Sequence, residues 1–272
     1  MSATSGATPT FRLLRTVTAT RYVTPLREGG SLPAVVEADD DGLYVVKFRG
    51  AGQGVKALVA ELVAGEIGRA LGLLVPEIVF IEVDPALGRS EPDFEIQALL
   101  KASGGLNLAL DYLPGALPFD PAIPRPLDPA LAAAIVWFDA YITNVDRTPR
   151  NTNLLTWHKR LWLIDHGAAL YFHHGAGAYP PGGSLKFARV ADHVLLPYAG
   201  DLDAADVTAH ERLHPALLAS IVAAIPDVWL AIAPGGASVE EQRAAYVTYL
   251  TERLASSRTF VEEAQHARAQ LV

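Results

Sequence analysis

The sequence predicts an α+β chain in two lobes, an antiparallel-sheet amino-terminal lobe over residues 10–113 and a mainly helical carboxy-terminal lobe over 128–272. Three observations carry that expectation. From Phe11 to Leu26 the apolar residues alternate and are β-branched, as in half-buried strands, and further short strand-like runs broken by turn residues recur up to Leu113. From Asp128 onward most apolar residues recur at helical spacing in longer runs. Between the two patterns, residues 114–127 hold five prolines and read as the connection between lobes.

Bulk properties narrow the function classes. The chain has 272 residues, half of them apolar, enough for one large domain or two lobes around a sizeable core. A net charge of −8 gives no general attraction to nucleic acid or anionic lipid, so neither is an expected partner. The absence of cysteine excludes disulfides and thiolate metal sites. The Ser/Thr/Ala-rich start lacks the apolar core of a secretory signal, and the longest apolar run, 131–138, is too short to span a bilayer. A soluble, cytoplasmic protein is the expectation.

In chain order, residues 1–9 are small and polar and are expected to be disordered. Phe11 to Leu26 reads as one or two strands, interrupted by Arg27 to Ser31. Pro33 to Ala38 is the next strand, Asp39 to Gly42 a hairpin turn, and Leu43 to Phe48 a strand that carries Lys47. A helix over residues 55–71 is stopped by Gly72 and Pro76. Glu77 to Val83 is a strand, Ser90-Glu91-Pro92 opens a short helix to Ala102, and Leu106 to Leu113 is the last strand of the lobe. Asp128-Pro129 pairs a helix cap with proline at the first helical position. That helix, to about Ile142, is apolar on nearly every face and should be a buried strut. Residues 168–200 look irregular, with 180–183 as a mobile loop, and five helices follow near 203–209, 215–224, 226–232, 238–255 and 257–270.

The chemistry concentrates between Asn144 and Gly167. Two apolar runs, Leu154 to Trp157 and Leu161 to Ile164, flank a polar tip and predict a β-hairpin. Asp146 and Asn151 lie on the loop entering it, and Asp165 at its exit. Taken singly, Asp146 is a turn residue and Asn151 a cap. Taken in order they match protein kinases, which place a base aspartate, a metal-binding asparagine five residues on, and a second metal-binding aspartate after the next hairpin. Phosphoryl transfer needs an acceptor for the hydroxyl proton and oxygens that hold Mg²⁺ against ATP phosphates. Asp146-Arg-Thr-Pro-Arg-Asn151 fits D-x-x-P-x-N, and Asp165-His166-Gly167 stands at D-F-G. Upstream, Gly29, Gly30 and Ser31 could present N–H groups to phosphate, with Lys47 reaching the α- and β-phosphates. Glu61 and Glu66 are both available to pair with Lys47; Glu61, one turn into the helix, is preferred. Asp111, Tyr112 and Leu113, at the end of the last strand, are where backbone groups would hold an adenine.

Two other motifs compete. Gly50, Gly52 and Gly54 suggest a dinucleotide fingerprint, but the third glycine falls one position early, since residue 55 is valine. His210-Glu-Arg-Leu-His214 spells a zinc-protease motif, which needs one continuous helix. Pro215 pushes His214 out of helical geometry, so it should open a new helix instead.

The chain resembles the HipA-like kinases, relatives of the protein-kinase and phosphatidylinositol-kinase fold. The residues carrying the resemblance are V-V-K-F-R-G (45–50), A-E-L-V-A-G-E-I-G-R-A-L-G-L-L-V-P (60–76), L-D-Y-L-P-G (110–115), F-D-A-Y-I-T-N-V-D-R-T-P-R-N (138–151) and L-I-D-H-G (163–167). It implies a bilobal protein-kinase-like fold and Mg-ATP-dependent transfer to a serine or threonine hydroxyl of a protein substrate, the chain's own hydroxyls included. It also implies that Lys47 binds phosphate, Glu61 pairs with it, Asp146 is the base, and Asn151 and Asp165 hold Mg²⁺. In these kinases a serine of the glycine-rich loop can be autophosphorylated, and Ser31 is the nearest candidate here. Thr148 replaces the lysine common in protein-kinase catalytic loops, and His166 replaces the phenylalanine of D-F-G. A small-molecule or lipid acceptor at the same site, and a nucleotide-binding pseudokinase, are the alternatives.

Overall fold

The computed structural model describes residues 11, 13–26, 32–52, 54–123, 126–174, 186–231 and 236–271. The expectations for residues 1–9, for Gly29, Gly30 and Ser31, and for the loop at 180–183 lie outside the described residues.

Among the described residues, five strands build the amino-terminal lobe: β1 (Thr16–Pro25), β2 (Ala34–Ala38), β3 (Leu43–Lys47), β4 (Ile78–Val83) and β5 (Gly105–Asp111). They close into a barrel in the order β1-β2-β3-β5-β4. All pairings are antiparallel except the closure, where Thr16–Thr18 of β1 runs parallel to Phe80–Glu82 of β4. The expected antiparallel sheet thus curls until its ends meet, which leaves no open edge. Inside lie Val17, Ala19, Val36, Val46, Val79 and Ile81, with Ile96 and Leu100 of α2 (Phe94–Ala102) packed against them. Helix α2 begins later than Ser90: a 3₁₀ turn occupies Pro85–Ser90, and the Asp93 side chain caps the helix by accepting from Glu95 N–H.

Helix α1 (Gly54–Ala70) belongs to a different core. Its residues from Leu58 to Gly68 are buried on every face, and its apolar side chains join one cluster with α3 (Pro129–Tyr141) and the helices beyond. Gly68 permits that approach, because a Cβ there would sit 3.2 Å from the Phe138 ring. Asp128 caps α3 by accepting from Ala130 N–H at 3.0 Å, with Pro129 first in the helix.

The proline-rich stretch 114–127 is more than a spacer. Leu117–Pro118 forms β6, which pairs with β7 (Leu154–Trp157), and β7 pairs with β8 (Arg160–Leu163). Proline is tolerated there because β6 is an edge strand of that sheet. Phe119 is buried beside it, and its N–H donates to Leu154 O at 2.8 Å. The remaining helices are α4 (Leu202–Arg212), α5 (Pro215–Ala223), α6 (Asp227–Leu230), α7 (Val239–Ala255) and α8 (Arg258–Ala269). Among the described residues, no helix is long and apolar enough to cross a membrane.

Both competing motifs have structural explanations. Gly50 is glycine because α2 ends against it: a Cβ there would lie 2.8 Å from the Ala102 backbone. The barrel is also not the parallel βαβ sheet a dinucleotide fingerprint requires. His210 ends α4 facing Ser257 Oγ at 3.0 Å, whereas His214 is extended and caps α5 by accepting from Leu217 N–H. The two imidazoles therefore sit on different elements, and no metal-holding group of three or more His, Cys, Asp or Glu occurs among the described residues.

Candidate active site

Lys47 leaves the end of β3, and its ammonium lies 2.7 Å from Asp165 Oδ1 and 3.9 Å from Glu61 Oε2. Residues more than a hundred positions apart thus meet where the barrel adjoins the helical lobe. Glu61 is the glutamate that faces Lys47; Glu66 pairs with Arg69 at 3.4 Å instead. Asp165 is the nearer partner. It sits just past β8 with φ of 55°, a left-handed conformation that disfavours a side chain carrying a Cβ. That turn breaks the strand direction next to the ammonium, so strain here coincides with a charged contact.

The loop from Asp146 to Asn151 closes on itself. Thr148 and Asn151 exchange backbone hydrogen bonds across a tight turn, Thr148 N–H to Asn151 O at 2.9 Å and the reverse at 3.1 Å. The turn returns Asn151 towards Asp146, and its Nδ2 donates to Asp146 Oδ2 at 2.8 Å. The five-residue spacing is therefore the span of one closed turn.

Electrostatics tie the groups together. Burial pulls the Lys47 pKa down, but Asp165, Glu61 and Asp146 outweigh it and hold the ammonium above its ordinary value. Burial pushes the Glu61 carboxyl up, yet Lys47 and His166 prevail and hold it at about 2.

Three supporting residues escaped the sequence reading. Asp139 on α3 is fully buried and accepts from Arg147 Nε at 2.5 Å and Asn144 Nδ2 at 2.9 Å, with His193 Nε2 at 2.8 Å. Arg147 continues to the backbone carbonyls of Asn153 and Ile164, the residue before Asp165. Asn144 Oδ1 accepts from Asp146 N–H at 3.2 Å. One buried carboxylate therefore anchors both the loop of Asp146 and the approach to Asp165. The available signal was an acidic residue inside an otherwise apolar helix, which must find charged partners.

At the strand end, the Asp111 and Tyr112 amides are already used, donating to Glu77 O at 2.8 Å and Leu43 O at 2.9 Å. Gly29, Gly30 and Ser31 are outside the described residues.

The family model described as HipA-like kinase matches residues 20–260. The chain belongs to the HipA-like kinase family. It is a kinase, a phosphotransferase. No curated protein matches it in sequence. Among solved structures it is similar to the Helicobacter pylori proinflammatory kinase CtkA, with TM-score 0.49 and 14% identity over 97% of this chain and 100% of that one. It is also similar to a Golgi casein kinase with Mn/ADP bound, with TM-score 0.46 and 11% identity over 92% of this chain and 74% of that one.

Proposed function

We propose that this HipA-like kinase transfers the γ-phosphoryl group of Mg-ATP to a serine or threonine hydroxyl of a protein. The observation that carries the reading is the meeting of Lys47 with Asp165 at 2.7 Å, within the field of Glu61 and Asp146. In an acidic protein, a lysine gathered against three carboxylates is suited to bind phosphate oxygens, with the acids left to a cation and a proton.

The residues present fit a divalent hard cation. Asp165 offers a carboxylate, and Asn151, whose amide nitrogen is spent on Asp146, has its oxygen left to offer. Magnesium takes few protein ligands because phosphates and water complete its octahedron, so two such donors suffice. Bound there, the ion would neutralise charge on the β- and γ-phosphates. Asp146, half-buried and braced by Asn144 and Asn151, would accept the proton of the attacking hydroxyl. Glu61 and Asp165 would hold Lys47 in place for the phosphates, and Leu113 would face the base. A cavity of about 450 Å³ opens next to the base loop, lined by Thr143, Val145, Tyr171, Phe172, Phe187 and Tyr249 together with Lys186 and Arg189, and offers room for an acceptor.

Labelled ATP supplied with Mg²⁺ to the purified chain, alone and with cell lysate, tests the reading. Transfer is expected in the native chain. Asp146→Ala should slow it by about 10²- to 10⁴-fold with nucleotide affinity retained, whereas Asp165→Ala should weaken Mg-ATP binding as well. An unchanged rate in Asp146→Ala would overturn the assignment of the base.

A further inference from the structure

His166 takes the place that phenylalanine holds after the metal-site aspartate in protein kinases. It is fully buried, and its ring meets Phe138 edge-on at 5.7 Å between centroids. An apolar ring would satisfy that packing. The imidazole adds a nitrogen aimed at Glu61: Nδ1 lies 3.1 Å from Oε1, while the backbone N–H of the same residue donates to Oε2 at 2.9 Å. A carboxylate only accepts, so the proton sits on Nδ1. The other nitrogen, Nε2, is buried without a hydrogen-bond partner among the described residues, an unfavourable arrangement that phenylalanine would avoid. The contact with Glu61 is what sets histidine apart at this position.

We propose that His166 is a positioning residue for phosphoryl transfer. Gripped at both oxygens by one residue, the Glu61 carboxylate cannot rotate, and Oε2 stays turned towards Lys47. Because residue 166 follows Asp165 directly, the same grip couples the lysine's two acidic partners, one from α1 and one from the turn after β8. The inference rests on the kinase reading of Lys47 and Asp165.

Calorimetric Mg-ATP affinity and the transfer rate, measured on the full chain, test it across native protein, His166→Phe, His166→Asn, His166→Gln, Glu61→Gln and the Glu61→Gln/His166→Phe double variant. His166→Phe should lose about ten- to a hundredfold in affinity, the worth of one hydrogen bond to a buried charge. His166→Asn, whose amide nitrogen replaces Nδ1, should recover most of it, and His166→Gln, which replaces Nε2, should not. The double variant should bind no more weakly than Glu61→Gln alone, since His166 acts through that carboxylate. Native-like affinity in His166→Phe, equal recovery by Asn and Gln, or additive losses would each overturn the proposal. Should His166→Phe fail to fold, the Asn and Gln variants decide. A native chain that binds no Mg-ATP would sink the kinase reading and this inference together; native binding with an indifferent His166→Phe removes this inference alone.

Discussion

Arg147 shows how much rests on single buried charges. Its side chain is wholly enclosed, and it is one of the partners that let Asp139 remain ionised in the core, well below the usual carboxylate range despite burial. Arg147→Met removes that partner and leaves a buried carboxylate with His193 and Asn144 alone. A loss of about 3–5 kcal/mol in urea unfolding is expected, since breaking one side of a buried pair strands the other. Glu61 makes a second case with a pH signature. Its folded pKa of about 2 lies below the ordinary 4.5, so its contribution is complete above 4.5 and disappears as pH falls towards 2. The stability difference between native protein and Glu61→Gln should therefore shrink over that window, as read from melting temperatures. A difference that stayed constant would show that Glu61 is not held down by its partners. The sequence made the trio of Asp146, Asn151 and Asp165 legible through spacing alone. Asp139 was not legible in the same way, because only the fold shows that the nearby Asn144 and Arg147 and the distant His193 turn towards one buried carboxylate.

At the scale of elements, the strands and helices followed from periodicity and turn chemistry to within a few residues, and the exceptions have local causes. Asp93 won the cap of α2 from the residues around Ser90 because its side chain reaches Glu95 N–H at 2.9 Å. Gly72 ends α1 at φ of 79°, and a Cβ there would meet the Arg212 guanidinium at 2.3 Å, the group that also donates to Leu71 O. Gly72→Ala should therefore cost about 1–2 kcal/mol, the penalty of a left-handed residue with a side chain. Gly52, with open space around it, gives the control: Gly52→Ala should melt close to native. Equal melting of the two variants would refute the role given to the turn. The strand β6 was hidden in a stretch of prolines because its pairing partner, β7, lies far along the chain.

At the scale of the molecule, the barrel keeps an interior of its own, but the larger core spans both lobes. Helix α1 follows the barrel strand that carries Lys47, yet its apolar side chains pack in the core of the helical lobe. Trp229 of α6 reaches back the other way: its Nε1 donates to Leu106 O at 3.2 Å, and its ring meets Phe80 edge-on at 5.7 Å. Trp229→Ala should cost about 3–5 kcal/mol and lower the melting temperature while the transition stays single, because the larger core runs through both lobes. Two separated calorimetric transitions in the native chain would contradict that account.

By itself the sequence determined the order of the elements, the two-lobed α+β division and the spacing that singles out Asp146, Asn151 and Asp165 as candidates, because periodicity, caps and motif spacing are written within a few tens of residues. Tertiary structure decided that the sheet closes into a barrel, that Lys47 leans on Asp165 more closely than on Glu61, and that Asp139 and His166 brace the site. Those outcomes depend on which buried charges face one another across the fold, and a buried charge is satisfied by neighbours in space, whatever their separation along the chain.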